Sequence, residues 1–140
     1  EETSSPAADP AGDTTPLASD VAIFTNSDGD RIELEVEIAG TSAERSQGLM
    51  NREELAENAG MLFLYPDDHQ AGFWMKDTLI PLSVAFVRGD GTIVDIQDME
   101  PETTELHRPD EKYRNAIEAN QSWFDRNGIA AGDVVEIPDA

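Results

Sequence analysis

The fold of this chain is decided by the stretch VAIFTNSDGDRIELEVEI, residues 21–38. Its second half alternates charged residues with four apolar ones, Ile32, Leu34, Val36 and Ile38. A period of two residues is typical of a β-strand with one buried face and one solvated face. The Asp28-Gly29 step between the two apolar runs favours a tight turn, because glycine adopts positive φ without strain. The stretch therefore predicts an antiparallel hairpin.

The acidic turn of this hairpin raises the alternative of a calcium loop. The turn resembles part of an EF-hand calcium loop, with possible ligands at Asn26, Asp28, Asp30 and Glu35. The first ligand position of such a loop would fall on Phe24, however, and no helix is predicted on either side of it. The hairpin is therefore favoured, and we expect neither a metal site nor a cofactor.

The other elements are predicted from short apolar runs and capping signals. Further strands are expected at 61–65, 72–75, 82–87, 92–96, 113–119 and 134–137. Short helices are expected at 41–50, behind the capping box of Thr41, at 51–60, and at 123–127, behind an N-cap at Ser122. Together they predict an α+β, β-rich fold, with about seven short strands in a twisted, barrel-like sheet and two or three short helices.

The composition of the chain changes near residue 20. Residues 1–20 contain three prolines, five acidic residues and no cation, and such a stretch cannot bury enough apolar surface to offset the entropy lost on ordering. We predict a disordered acidic leader or linker over 1–20 and a single globular domain over 21–140. A flexible remnant of purification would have a similar composition.

The localisation is predicted from two features of the sequence. No apolar run is long enough for a membrane span, so we expect no direct insertion into a membrane. The sequence begins with Glu1 rather than methionine, which favours the removal of a signal or anchor segment. We therefore expect an extracytoplasmic protein, either secreted or anchored through that segment.

The charge balance excludes one class of partner. The chain has 30 acidic residues against 9 Lys and Arg, a formal net charge of −21, whereas nucleic-acid binding needs clustered cations. Only two of the cations are lysines. This composition resembles that of halophilic proteins, although an ordinary acidic protein is the alternative. The absence of cysteine from the sequence excludes disulfides and thiol nucleophiles.

The halophile-like composition predicts that salt stabilises the fold. Added potassium chloride should screen the repulsion among the carboxylates, because the Debye length falls to about 3 Å at 1 M. The melting temperature, followed by circular dichroism, is therefore expected to rise from low to molar salt. A flat or falling melting temperature would show that the acidic residues are compensated locally.

The densest apolar segment contains the candidate binding residues. Lys76, one of only two lysines, stands between Trp74 and Asp77, where its ammonium group would hold a carboxylate or an anionic ligand. Arg45 and Arg52 lie seven residues apart, a spacing that allows an anion clamp. Pairing of these cations with acids inside the fold is the structural alternative.

Several motifs together resemble the family known as domain of unknown function 192. They are ERSQGLMNR at 44–52, GMLF at 60–63, FWMKDTLIPL at 73–82 and GIAAGD at 128–133. Glu118 fits the common Leu-Glu step of the family. The sequence departs from the family where it has Asp77 in place of Asn, Ser83 in place of Asp, and Ser122 in place of Gly. The resemblance implies a small β-rich fold and no established activity.

Catalytic motifs are hard to find in this sequence. His69 and His107 lie in polar stretches without metal-ligand spacing, and Ser83 is not in a nucleophile-elbow motif. The catalytic residues of any reaction therefore stay unknown, and we expect a non-catalytic extracytoplasmic monomer that binds a small molecule, a polymer or a cell-envelope component. The binding candidates are Trp74, Lys76, Asp77, Arg45, Arg52 and Glu118. A carboxylate-dependent hydrolase and a purely structural envelope domain are the alternatives.

Overall fold

The computed structural model describes residues 17–138. Most of the predicted leader at 1–20 lies outside the described residues, and the first strand begins at Ser19. The strands are β1 Ser19–Thr25, β2 Arg31–Ala39, β3 Ala59–Phe63, β4 Leu82–Val87, β5 Ile93–Met99, β6 Asn115–Asn120 and β7 Val134–Glu136. The helices are α1 Ser42–Gln47 and α2 Trp123–Arg126. Neither is long and apolar enough to cross a membrane.

All seven strands belong to one sheet with the order β5-β4-β6-β3-β2-β1-β7. The pairing of β2 with β3 is parallel, and the other pairings are antiparallel. The sheet curls until its two edges approach at an antiparallel bridge between Thr92 and Val134. This curled half-barrel confirms the predicted β-rich α+β fold.

The inner face of the half-barrel holds one hydrophobic cluster to which all seven strands contribute. The alternating residues of β2, Leu34, Val36 and Ile38, point into it, as their period of two predicts. Helix α2 adds Trp123 and Phe124, which are buried against the ring of Phe24 with edge-to-face geometry. The short helix therefore closes the inside of the half-barrel.

The outer face of the sheet carries a second cluster, covered by irregular segments of the chain. Met61, Phe63 and Phe86 from the strands pack with Phe73 and Met75 from the segment before β4. The predicted strand at 72–75 was wrong, because this segment makes one isolated bridge, from Phe73 to His107, rather than a ladder. Its two core residues alternate as in a strand, which explains the prediction.

The predicted helices were confirmed at 41–50 in part and at 123–127, but the one at 51–60 was wrong. The capping box of Thr41 and Glu44 starts α1 as predicted. The chain then turns, because Asn51 has a φ of 66°, which a right-handed helix cannot contain. Ser122 precedes α2 but its side chain makes no capping hydrogen bond, since its φ is 74°.

The first hairpin is confirmed, and the side chain of Asn26 organises its turn. Asn26 Oδ1 accepts hydrogen bonds from the backbone N–H groups of Asp28 and Asp30, each at 3.0 Å. Gly29 has a φ of 85°, as the Asp-Gly signal predicts. The amide oxygen that a calcium ion would need is therefore already used by the turn.

Candidate functional site

Trp74 and Lys76 lie together on the segment that covers the outer face. Lys76 Nζ is 5.6 Å from the centroid of the Trp74 ring, within the range of a cation–π contact. The lysine is exposed and pairs with no carboxylate of the described residues. The indole Nε1 of Trp74 is buried and has no hydrogen-bond partner among residues 17–138. Lys76 thus does not neutralise a described buried acid, and a ligand role for this pair stays a prediction.

Asp77 occupies the turn that follows Lys76. It has a φ of 56°, a left-handed conformation that aspartate tolerates better than most residues. Its carbonyl oxygen accepts a hydrogen bond from Asn51 N at 2.8 Å. The exposed Asp77 therefore ties together the two segments that cover the outer face.

Arg45 and Arg52 are both held by partners within the fold. Arg45 Nη1 donates to the Leu64 carbonyl oxygen at 2.8 Å, and its guanidinium carbon lies 4.6 Å from the centroid of the Tyr65 ring. Arg52 donates two hydrogen bonds to Glu37, at 2.7 and 2.6 Å. These bonds lower the pKa of Glu37 and raise that of Arg52. Pairing with an acid inside the fold, the structural alternative, is therefore found for Arg52, whereas Arg45 is held by a backbone carbonyl oxygen and an aromatic ring.

Glu118 lies in the middle of the sheet, on its outer face. Its cross-strand neighbours are Met61 on β3 and Val84 on β4, and it is only 3% exposed. Burial disfavours the charged form and raises the pKa of Glu118 to about 8. At neutral pH this residue is therefore mainly a neutral acid.

A groove opens beside β5, near the bridge that closes the half-barrel, and its volume is about 350 Å³. Strands β4 and β5, helix α2 and the loop before β7 all contribute to its walls. The lining residues are Ser83, Asp95, Ile96, Asp98, Ser122, Phe124, Asp125, Ile129, Ala130 and Ala131. Apolar side chains and carboxylates thus meet in one concave place, which is the usual composition of a small-ligand pocket.

A hydrogen-bond chain holds one wall of the groove in place. Ser83 Oγ donates to Asp98 Oδ1 at 2.6 Å and accepts from Ser122 N at 3.1 Å. Ser83 is 1% exposed, so its hydroxyl is buried with both a donor and an acceptor partner. These two hydrogen bonds link β4 to β5 and to the start of α2, and they fix the carboxylate of Asp98 at the groove.

The groove carboxylates differ in how many of their oxygens are used. Both oxygens of Asp95 accept hydrogen bonds, from Ile96 N and from Gln97 Nε2, each at 2.9 Å. Oδ2 of Asp98 and the carboxylate of Asp125 accept none from the described residues. These oxygens are the acceptors that the groove can offer to a ligand.

The groove was missed by reasoning from sequence, although one signal pointed to it. Ser83 and Ser122 are both positions at which the resemblance described above leads us to expect other residues, Asp and Gly. The structure brings these two departures into direct hydrogen-bond contact. Because these two positions are far apart in the sequence, their contact could not be recognised before the fold was known.

No metal centre is found at this groove or elsewhere among residues 17–138. In that range no three His, Asp or Glu side chains are grouped as a metal site requires. The two histidines lie apart, His69 beside Tyr113 and His107 beside Phe73.

A comparison with protein-family models assigns the chain to a family that has no described activity. Residues 23–137 match the model of the DUF192 family, described as uncharacterised ACR. A comparison with curated proteins finds no match.

Two solved structures are similar over most of their length. A protein from Sinorhizobium meliloti, named as a candidate transcription regulator, has a TM-score of 0.85 and 31% identity, over 87% of this chain and 95% of its own. A protein of unknown function from Novosphingobium aromaticivorans has a TM-score of 0.84 and 33% identity, over 89% of each chain.

Proposed function

Because this chain belongs to the DUF192 family, whose description names no activity, we propose from the geometry of the site that it is a small-molecule-binding module. The binding site is the groove lined by β4, β5, α2 and the loop before β7. The proposal concerns binding alone. Export of the protein, and binding of a polymer or envelope component, stay predictions from the sequence.

The observation that carries the proposal is the mixed lining of the groove. Ile96 and Ala130 offer accessible apolar surface, while Asp98 and Asp125 offer hydrogen-bond acceptors. A volume of about 350 Å³ lies at the lower end of the usual range for ligand pockets, roughly 300–1,000 Å³. Apolar area supplies affinity, and the few polar groups orient the ligand.

The groove also supports binding better than nucleophilic catalysis. A serine nucleophile must present its oxygen to the substrate and must have a base that takes its proton. Ser83 is buried with its hydroxyl engaged on both sides, so it acts as a structural link between the groove walls. The groove geometry therefore favours reversible binding.

Blocking the groove is expected to abolish ligand binding. A library of small neutral, cationic and anionic compounds would be screened by ¹H–¹⁵N NMR, and ligands should shift the amides of Ile96, Phe124 and Ile129. The Ala131→Trp variant places a large ring at the exposed groove wall. We expect it to weaken binding at least about tenfold, equivalent to about 1.4 kcal/mol.

The matched control is Ala43→Trp, an exposed alanine on α1, outside the groove lining. It should leave binding and the melting temperature unchanged. Compounds that shift the amides around Trp74 and Lys76 instead would transfer the function to that pair. Equal binding to both tryptophan variants would overturn the groove as the site.

A further inference from the structure

The groove's ligand can be narrowed to a chemical class. Resting on the proposed function, we infer that the groove binds an organic cation: a compact apolar molecule that carries a protonated amine or a guanidinium group. The apolar part lies against Ile96 and Ala130, and the cationic head pairs with the groove carboxylates of Asp98 and Asp125.

The groove carries negative charge that no cation of the described residues neutralises through an ion pair. The described residues form five ion pairs, and none of them involves Asp95, Asp98 or Asp125. Five of the nine cations are therefore used for carboxylates outside the groove. In a concave site, unpaired carboxylates above an apolar floor focus a negative potential. An anionic ligand is repelled there, and a cation is attracted.

The groove also offers carboxylate oxygens that are free to accept hydrogen bonds from a ligand. Asp98 uses one oxygen for Ser83 and keeps the other, and neither oxygen of Asp125 is used by a described residue. An ammonium group has three donors and a guanidinium group has five, so either of them can donate to the free oxygens of a groove carboxylate. A hydroxyl group has one donor and leaves the charges unpaired. Charge-assisted hydrogen bonds are also about twice as strong as neutral ones.

The arrangement of acidic residues favours an organic cation over a metal ion. A divalent metal needs several oxygen ligands that converge on one point, and residues 17–138 hold no such group of three acidic side chains. An organic cation can instead pair with a single carboxylate while its apolar part lies on the groove surface. The apolar lining, which a metal ion would not use, then becomes part of the binding energy.

Three probes with the same aromatic body and different charge test the inference: benzylamine, benzyl alcohol and benzoate. Their affinities would be measured by ¹H–¹⁵N NMR titration at neutral pH and one fixed salt concentration. We expect benzylamine to bind at least about tenfold more tightly than benzyl alcohol, and benzoate to bind most weakly. The Asp98→Asn and Asp125→Asn variants should each remove most of the preference for the amine.

Asp67→Asn is the matched control, because Asp67 is exposed and lies outside the groove lining. It should keep the preference for benzylamine, and melting temperatures should confirm that all three variants fold. If benzylamine and benzyl alcohol bind equally and both are displaced by Ala131→Trp, the cation inference fails while the groove remains the binding site. If no probe and no library compound shifts the groove amides, the proposed function itself fails.

Discussion

Replacing Glu118 with glutamine is expected to abolish most of the decrease in stability that the protein undergoes as the pH rises from 4.5 to about 8. In the unfolded chain this carboxyl releases its proton near pH 4.5, whereas burial in the fold keeps it protonated until about pH 8. Between these values the folded state binds more protons than the unfolded state. The free energy of unfolding therefore falls with rising pH.

The size of this effect is large for one residue. A single group with this pKa difference contributes about 1.4 kcal/mol per pH unit, or on the order of 5 kcal/mol over the whole window. Glutamine keeps the shape of the side chain and cannot ionise. Glu118→Gln should therefore be the more stable protein at pH 9. Urea denaturation at pH 5, 7 and 9 measures this difference.

The control for Glu118 is Glu33→Gln, because Glu33 is exposed on β2. It removes the same charge from the chain without removing a buried acid. Its unfolding free energy should follow that of the unaltered protein at all three pH values. The same pH dependence in both variants would show that general charge repulsion, rather than Glu118, causes the loss of stability.

Replacing Gly60 with alanine is expected to destabilise the fold by at least about 3 kcal/mol, at the upper end of the usual cost of overpacking. A Cβ atom at this position would lie 2.2 Å from the carbonyl oxygen of Glu118 and 3.0 Å from Leu34 Cδ2. The oxygen belongs to the backbone of the neighbouring strand β6, so it cannot move aside as a flexible side chain would. The pairing of β3 with β6 has to shift.

Gly40→Ala is the matched control, since a Cβ at Gly40 meets no atom within 4 Å. That variant should change the unfolding free energy by less than about 1 kcal/mol, with stabilisation possible because alanine restricts the unfolded chain. Guanidinium denaturation of both variants at one salt concentration provides the comparison. A Gly60→Ala protein as stable as Gly40→Ala would mean that the β3–β6 spacing is wider than the structure shows.

The frequency of each residue type explains why reasoning from the sequence found some candidate residues and missed others. Lys76 and Trp74 stand out in the sequence because lysine and tryptophan are rare in it, and the structure brings them into contact. Asp98 and Asp125 do not stand out among 30 acidic residues. The role proposed for them depends on the groove that they line.

What the sequence determined by itself is local. The alternation of β2, the Asp-Gly turn at Gly29 and the capping box at Thr41 depend on neighbouring residues, and all three were confirmed. The motifs at 44–52, 60–63, 73–82 and 128–133 likewise placed the chain in its family without any contact being known.

Only the tertiary structure decided the rest, because it depends on residues far apart in the chain. The burial of Glu118 results from strands and covering segments that close over β6. The failure of the helix predicted at 51–60 reflects the hydrogen bond from Asn51 to Asp77, which holds the chain in a turn. The groove exists because curling of the sheet brings β5 close to α2, and no pattern of neighbouring residues records the curvature of a sheet.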